Sequence, residues 1–294
     1  YASRGLGDVY KRQDTSCVAI IDNKIVGFII AKVWLHPIKV AAYTNTGWIS
    51  LIYVDPLYRK KGIGSALLNK VESDFKILGK EELNLGRDYQ NFFPGIPMDL
   101  KSSSLWFEHR GYKTLNTTND LVKHVKPSNA IIPLKPFKDG NDYTIRISNE
   151  NDKEELKSFI TSNWPGRWAV EVSDYIDQGP DLYFICLDKN NHICGFCRYE
   201  DDKTPLSIIG YGLTWQKRFE RLGSIGPLGV EPTHRNNNIA YNLLACANNH
   251  LVSLNVTDIM IDWTSLMDLY RKFGFEVWKS YIYTKKEKNY EKIC

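Results

Sequence analysis

The sequence predicts a duplicated architecture in which strands and amphipathic helices share each copy, and three observations carry that prediction. The first is residues 51–68, where an apolar, β-branched run meets a basic, glycine-containing turn and then an amphipathic pattern through Leu67, Leu68, Val71 and Phe75. The second is a return of the same pattern at 228–240. Arg235 stands 176 residues after Arg59 (235 − 59), and at that one offset Val54 falls on Val230, Pro56 on Pro232, Gly62 on Asn238 and Gly64 on Ala240. The third is the surroundings of each copy. A hairpin pattern precedes it, at 17–34 and again at 181–199, and a short helix ending in glycine and an aromatic residue follows it, Gly111-Tyr112 and Gly274-Phe275. Order, offset and closing motif repeat together, which marks two copies of one unit.

Size and composition agree. The 294 residues suffice for about two domains. With 43% apolar and 24% charged residues the chain is of ordinary globular type. A net charge of +4 without a long basic run argues against a dedicated nucleic-acid binder. No uninterrupted apolar stretch is long enough to span a bilayer, and no secretory signal is present, so the expectation is a cytoplasmic protein with neither a nucleic-acid nor a membrane partner. Of the six cysteines, Cys194 and Cys197 form a CxxC, but it lies inside a strand pattern, where residues three apart face opposite sides. No second CxxC or histidine pair completes a zinc site, and no metal is expected.

Taken in order, residues 1–13 show neither helical nor strand periodicity and read as a non-native, adaptor-like tail. A strand at 17–22 turns at Asn23-Lys24 and returns as 25–34. A polar loop is expected at 35–47, then the strand, turn and helix described above. A short strand follows at 81–88, a Pro/Gly-rich aromatic loop at 89–98, a helix at 104–112, a polar stretch at 114–119 and a strand at 121–125. Three prolines within 127–142 read as a linker. The second copy opens with a strand at 143–147 and a helical region capped by Asn149 or Asn151. After its turn and helix come a strand at 258–263 and the closing helix with Tyr270. The expected division is therefore 1–13 tail, 14–126 first domain, 127–142 linker and 143–294 second domain. Gly111 and Gly274 lie only 163 apart (274 − 111), so the first copy carries extra residues that its aromatic loop accounts for.

The turn at 59–65 follows a strand that Pro56 ends, since proline has no N–H for the ladder. Unpaired N–H groups at the following helix start, the helix dipole and glycine together suit an anion. Neither the phosphate loop with its Lys-Ser/Thr nor the three-glycine dinucleotide fingerprint fits. Arg59-x-x-Gly62-x-Gly64 directly after Val54-Asp55-Pro56 resembles the acetyl-CoA loop of the GNAT family of N-acetyltransferases. That resemblance covers nearly everything from residue 14 on. It implies an α+β class, with two tandem GNAT folds of mostly antiparallel sheet and helices on both faces, and a first copy that lacks its first strand and helices, as in a chain truncated at its N-terminus. It also implies that acetyl-CoA is the cofactor and that Ile52, Tyr53, Val54, Arg59, Lys60, Lys61, Gly62, Ile63, Gly64 and Ser65 bind it.

The copies divide the expected machinery unequally. The first has the better loop, with Lys60, Lys61, Gly62 and Gly64 where the second has asparagines and Ala240. The second has Tyr270 where the family's thiolate-protonating tyrosine stands, and the first has Phe107 there. A tyrosine hydroxyl can donate a proton, and a phenyl ring cannot. The sequence reading gives catalysis to the first copy, with Asp88 and Tyr89 as the candidates at the end of its fifth family strand, Tyr53 and His109 as further polar groups, and Phe92, Phe93 and Pro94 lining an acceptor pocket. Tyr270 is the catalytic candidate of the alternative in which the second copy is active. The expected reaction is acetyl transfer to an amine of a small molecule or a protein. The competing class is a binding or scaffold protein with degenerate folds.

Overall fold

A computed structural model describes residues 15–89, 93–140, 142–204 and 215–287. The tail at 1–13 and Phe92 lie outside the described residues. In chain order the elements are β1 (Cys17–Ile21), β2 (Lys24–Val33), α1 (Ala41–Thr44), β3 (Thr46–Val54), α2 (Ile63–Ile77), β4 (Glu82–Leu85), β5 (Ile96–Pro97), α3 (Lys101–Glu108) and β6 (Lys113–His124). Then follow β7 (Thr144–Ile147), α4 (Lys153–Asn163), α5 (Arg167–Tyr175), β8 (Tyr183–Leu187), β9 (Ile193–Glu200), β10 (Leu222–Val230), α6 (Ile239–Ser253), β11 (Asp258–Thr264), α7 (Met267–Arg271) and β12 (Glu276–Glu287). Among the described residues no helix is long and apolar enough to cross a membrane.

The chain divides into two compact units. Of the described residues, unit 1 holds those from 15 to 118 together with 280–287, and unit 2 holds those from 119 to 279. In unit 1 the sheet runs β1-β2-β3-β4 and is completed by the end of β12, where Thr284 pairs with Leu85 and Glu287 with Glu82. Among the described residues of this unit, only the β3–β4 pair is parallel. The helix α2 lays Leu67, Leu68, Val71 and Phe75 on this sheet, each fully covered and each contributing on the order of 2 kcal/mol by burial. Gly47 admits the Phe75 ring, since a Cβ there would lie 2.8 Å from it.

In unit 2 the order is β6-β11-β10-β9-β8-β7, with β10–β11 the parallel pair. Its β6 strand is residues 119–124, paired antiparallel to β11 from His124↔Asp258 to Asn119↔Thr264. Two expectations are corrected here. Residues 121–125 complete unit 2 instead of the first copy, and residues 280–287 complete unit 1 instead of the second. The polar stretch at 114–119 belongs to the long strand β6, and a short helix and the start of β3 interrupt the loop expected at 35–47.

The helical region of unit 2 starts from Asn149, whose side chain accepts from Asn151 N at 3.0 Å while Asp152 Oδ2 accepts from Asn149 N at 2.9 Å. Cys194 and Cys197 are both buried in β9, and among the described residues no group of His, Cys, Asp and Glu could hold a metal ion.

Candidate functional site

The parallel pair of unit 1 holds together only from Thr46↔Glu82 to Ile49↔Leu85, closed by Gly86 N donating to Ile49 O at 2.8 Å. The β4 chain then turns away through Gly86 and Arg87, both at positive φ, while β3 continues to Val54 on β2. The strands part there. At this vertex β3 carries a bulge opposite Ile30 and Ala31, with Ser50 the extra residue. Ser50 Oγ donates to Asp88 Oδ2 at 2.6 Å, and Lys32 Nζ lies 3.0 Å from the same oxygen. Asp88 is fully buried and the Lys32 side chain nearly so.

The turn lies at the far end of β3. Asp55 caps the short 56–58 helix by accepting from Leu57 N at 2.8 Å. Arg59 Nε donates back to Val54 O at 2.8 Å, which pins the turn to the strand. Gly62 is the N-cap of α2 at φ 84, a left-handed conformation that costs glycine nothing, and its missing side chain faces open space. The first helical bond runs from Ala66 N to Gly62 O, so the amides before it point past the helix end. Lys60 and Lys61 are exposed beside them, and the Lys61 ammonium lies 5.2 Å over the Tyr58 ring. Trp106 packs beside Gly64, the Arg110 guanidinium stacks 3.8 Å over Trp106, and Arg110 donates to Ser65 Oγ at 2.8 Å.

Unit 2 repeats the frame with different contents. Its bulge falls at Gly226-Pro227, with Gly226 176 residues after Ser50 (226 − 50), and Trp263 takes the left-handed turn at the same offset from Arg87 (263 − 87). Around this vertex lie Arg198 and Glu200, paired at 2.6 Å and both buried, with Arg198 also donating to Tyr183 OH at 3.1 Å. Asp120 accepts from Trp263 N at 3.2 Å, and Arg167 lies 4.6 Å over the Trp263 ring. Burial, and then the neighbouring Asp120 carboxylate, push Asp262 up to about 8, although its side chain keeps some solvent contact. The Tyr270 hydroxyl is also pushed up, first by burial. The Trp164 ring covers β10 at Gly229, where a Cβ would come within 2.6 Å of it.

A family model supplies the deciding comparison. The acetyltransferase (GNAT) family model matches residues 4–93 and 153–275, well over half of the chain. The chain belongs to the GNAT family. It is a tandem member, with one GNAT unit per match. The first match begins at residue 4, within the segment that lacks periodicity. No curated protein sequence matches the chain significantly.

Solved structures of GNAT proteins share the fold. The GCN5-related glucosamine N-acetyltransferase region of a fungal multi-domain GH3 β-N-acetylglucosaminidase superposes with a TM-score of 0.79 and 22% identity, over 94% of this chain and 34% of that one. This chain thus spans about a third of that protein. A GCN5-related N-acetyltransferase from Sphaerobacter thermophilus gives 0.65 and 19%, covering 92% and 80% of the two chains. A tandem GNAT protein of the clavulanic acid biosynthesis pathway gives 0.59 and 11%, covering 93% and 83%.

Within the GNAT frame, Ile52 and Val54 line β3 half-buried, Tyr53 is exposed with the Arg59 guanidinium 5.9 Å over its ring, and residues 59–65 form the turn and first helical residues together. Asp88 and Tyr89 lie beyond the end of β4, which stops at Leu85. Asp88 is an internal ion-pair partner, and Tyr89 is nearly buried, its ring centroid 4.8 Å from that of Trp34 and 5.6 Å from that of Trp48. Phe107 is buried between Trp106 and Tyr112, and His109 is exposed at the end of α3. Pro94 is buried, and the Phe93 ring lies 6.4 Å from that of Tyr281. Sequence reasoning missed Lys32, Ser50 and Arg110 in unit 1 and Asp262 in unit 2. Only the even spacing of Ser50 and Gly226 in the repeat could have pointed to the bulge.

Proposed function

We propose that this GNAT protein is an N-acetyltransferase that draws acetyl from acetyl-CoA and delivers it to an amine of a small molecule or a protein, with unit 1 holding the cofactor. The observation that carries the reading is the open, left-handed Gly62 at the head of α2, flanked by exposed Lys60 and Lys61. A Cβ at that position would fill space that a diphosphate needs, so the residues present fit the group. Coenzyme A, when bound, supplies the acetyl group as an activated thioester. The amides of Ile63, Gly64 and Ser65 and the ammonium groups of Lys60 and Lys61 would hold its diphosphate. Ile52, Tyr53 and Val54 would line the arm along β3.

The bulge at Ser50 interrupts the ladder where β3 and β4 part, which frees strand amides to polarise a carbonyl there. Asp88, tied to Ser50 and Lys32, serves this reading as the group that fixes the bulge in place. Tyr89 holds the adjoining aromatic wall. Positioning both reactants in line then supplies much of the rate.

One observation favours a second reading, in which unit 2 is the active one. The Asp262 carboxyl, pushed up to about 8 by burial and then by Asp120, and the raised Tyr270 hydroxyl would form a base and an acid near one vertex. The covered surface at Gly229 weighs against it. The test is thiol release from acetyl-CoA with a panel of amines, amino sugars and peptides included. Turnover that Gly62→Trp abolishes supports the first reading. Tight cofactor binding with no turnover on any amine turns the protein into a binding module.

A further inference from the structure

The second turn differs from the first in what lies against it. Residues 130–139, which lie between the last strand of one sequence copy and the first strand of the next, run along α6 and are held there by asparagines. Asn249 is bonded to both the N–H and the C=O of Ile132, at 2.9 and 2.9 Å. Asn242 is bonded in the same two-point way to Lys135, at 2.9 and 2.8 Å. Asn238, the left-handed N-cap of α6 in the place of Gly62, donates to Pro136 O at 2.8 Å. Asn237, in the place of Lys61, donates to Asp139 Oδ2 at 2.7 Å. Tyr143 OH donates to the same carboxylate oxygen at 2.7 Å and lies 3.1 Å from His234 Nδ1, in the place of Tyr58.

The two side chains that would have to be glycine and lysine for a phosphate are therefore amides, and both are spent on this strap. A carbonyl and a carboxylate stand against the turn where the first loop presents open space and two ammonium groups. The Asp139 carboxylate, held by the Asn237 amide just before the N-cap and by the Tyr143 hydroxyl, is chemically a small anion in its own right. From this geometry we infer that the strap is a tethered occupant of the second loop, with Asp139 as its anion, and that the protein consequently binds one coenzyme A per chain. The inference rests on the reading that unit 1 holds the cofactor, and the two can fail separately.

The experiment is calorimetric titration of the full chain with coenzyme A, each variant first checked for cooperative unfolding. The wild type binds one equivalent. Gly62→Trp binds none, and Lys60→Glu with Lys61→Glu, which leaves the backbone untouched, weakens binding at least tenfold. The triple variant Asp139→Ala, Asn237→Lys, Asn238→Gly removes the tethered carboxylate and restores the chemistry of the first loop, and it binds two. Two equivalents on the wild type overturn the strap and leave the cofactor reading of unit 1 standing. A triple variant that stays at one equivalent also overturns it, because the loop is then closed for another reason. A wild-type site that survives both unit 1 variants overturns the cofactor reading. If the wild type binds none, that reading again fails, while the strap still requires one equivalent on the triple variant.

Discussion

Substituting Asn242→Ala tests how firmly the strap is held. Asn242 is 2% exposed on α6, and its amide closes a two-point contact with the backbone of Lys135. Truncation deletes both bonds, each worth about 1 kcal/mol net, and strips one partner from a backbone N–H and a C=O. Because Lys135 is itself an exposed residue, water can reach part of its backbone, which limits the further cost. The expected loss is about 2–3 kcal/mol of stability. For a unit of this size that corresponds to roughly 5–10 °C in Tm. Two measurements read it: urea unfolding followed by circular dichroism, and amide exchange across residues 130–137, which loses protection ahead of the sheet. Asn249→Ala, which breaks the equivalent contact at Ile132, should cost a similar amount. A loss below about 0.5 kcal/mol with unchanged exchange would show that the asparagines merely accompany the strap, and the argument for a tethered occupant would fail with it.

Three further outcomes are expected. Asp88→Asn removes the charge 3.0 Å from the buried Lys32 ammonium and should cost about 3 kcal/mol in denaturant titration, whereas Asp88→Leu combined with Lys32→Met should recover most of it; a single variant as stable as wild type would mean the pair is solvated. Asp262 has its folded pKa raised to about 8 from 3.8, so the folded state holds a proton that the unfolded state has lost, and this group's contribution is full below about pH 4 and falls as pH rises to about 8. Asp262→Asn should accordingly gain stability over wild type across that window, by at most about 1.4 kcal/mol per pH unit and less because the side chain keeps solvent contact; a difference independent of pH between 4 and 8 would remove the perturbed carboxyl. Tyr270→Phe should leave kcat/KM within twofold if unit 1 does the chemistry, and a loss of tenfold or more in a folded variant would transfer it to unit 2.

The turn at 59–65 was legible because its determinants are local. Pro56 ends a strand, glycine supplies a left-handed cap, and an apolar stripe of period 3.6 starts a helix, all within a dozen residues. The strand at 121–125 was equally visible as a strand, yet its membership was not, because an alternating apolar pattern states that a segment pairs and leaves open with which edge. Asp88 illustrates the same limit in a side chain. Its position after a strand suggested a cleft mouth, but Lys32 and Ser50, which bury it, come from residues 56 and 38 positions away (88 − 32 and 88 − 50). Asn237 and Asn238 were legible only as a weakened loop, and that they and Asn242 and Asn249 hold residues 132–139 became visible only in the structure.

By itself the sequence determined the duplication, the family and the loop that suits a diphosphate, since each follows from residue types at short, fixed spacings. Only the tertiary structure decided which strand closes which sheet, that the carboxyl of Asp88 is an internal ion-pair partner, and that the second loop is covered by the chain's own strap. Those outcomes depend on the burial and hydrogen bonding of groups far apart in sequence, where the energy of a contact exists only once the fold has brought both partners out of water.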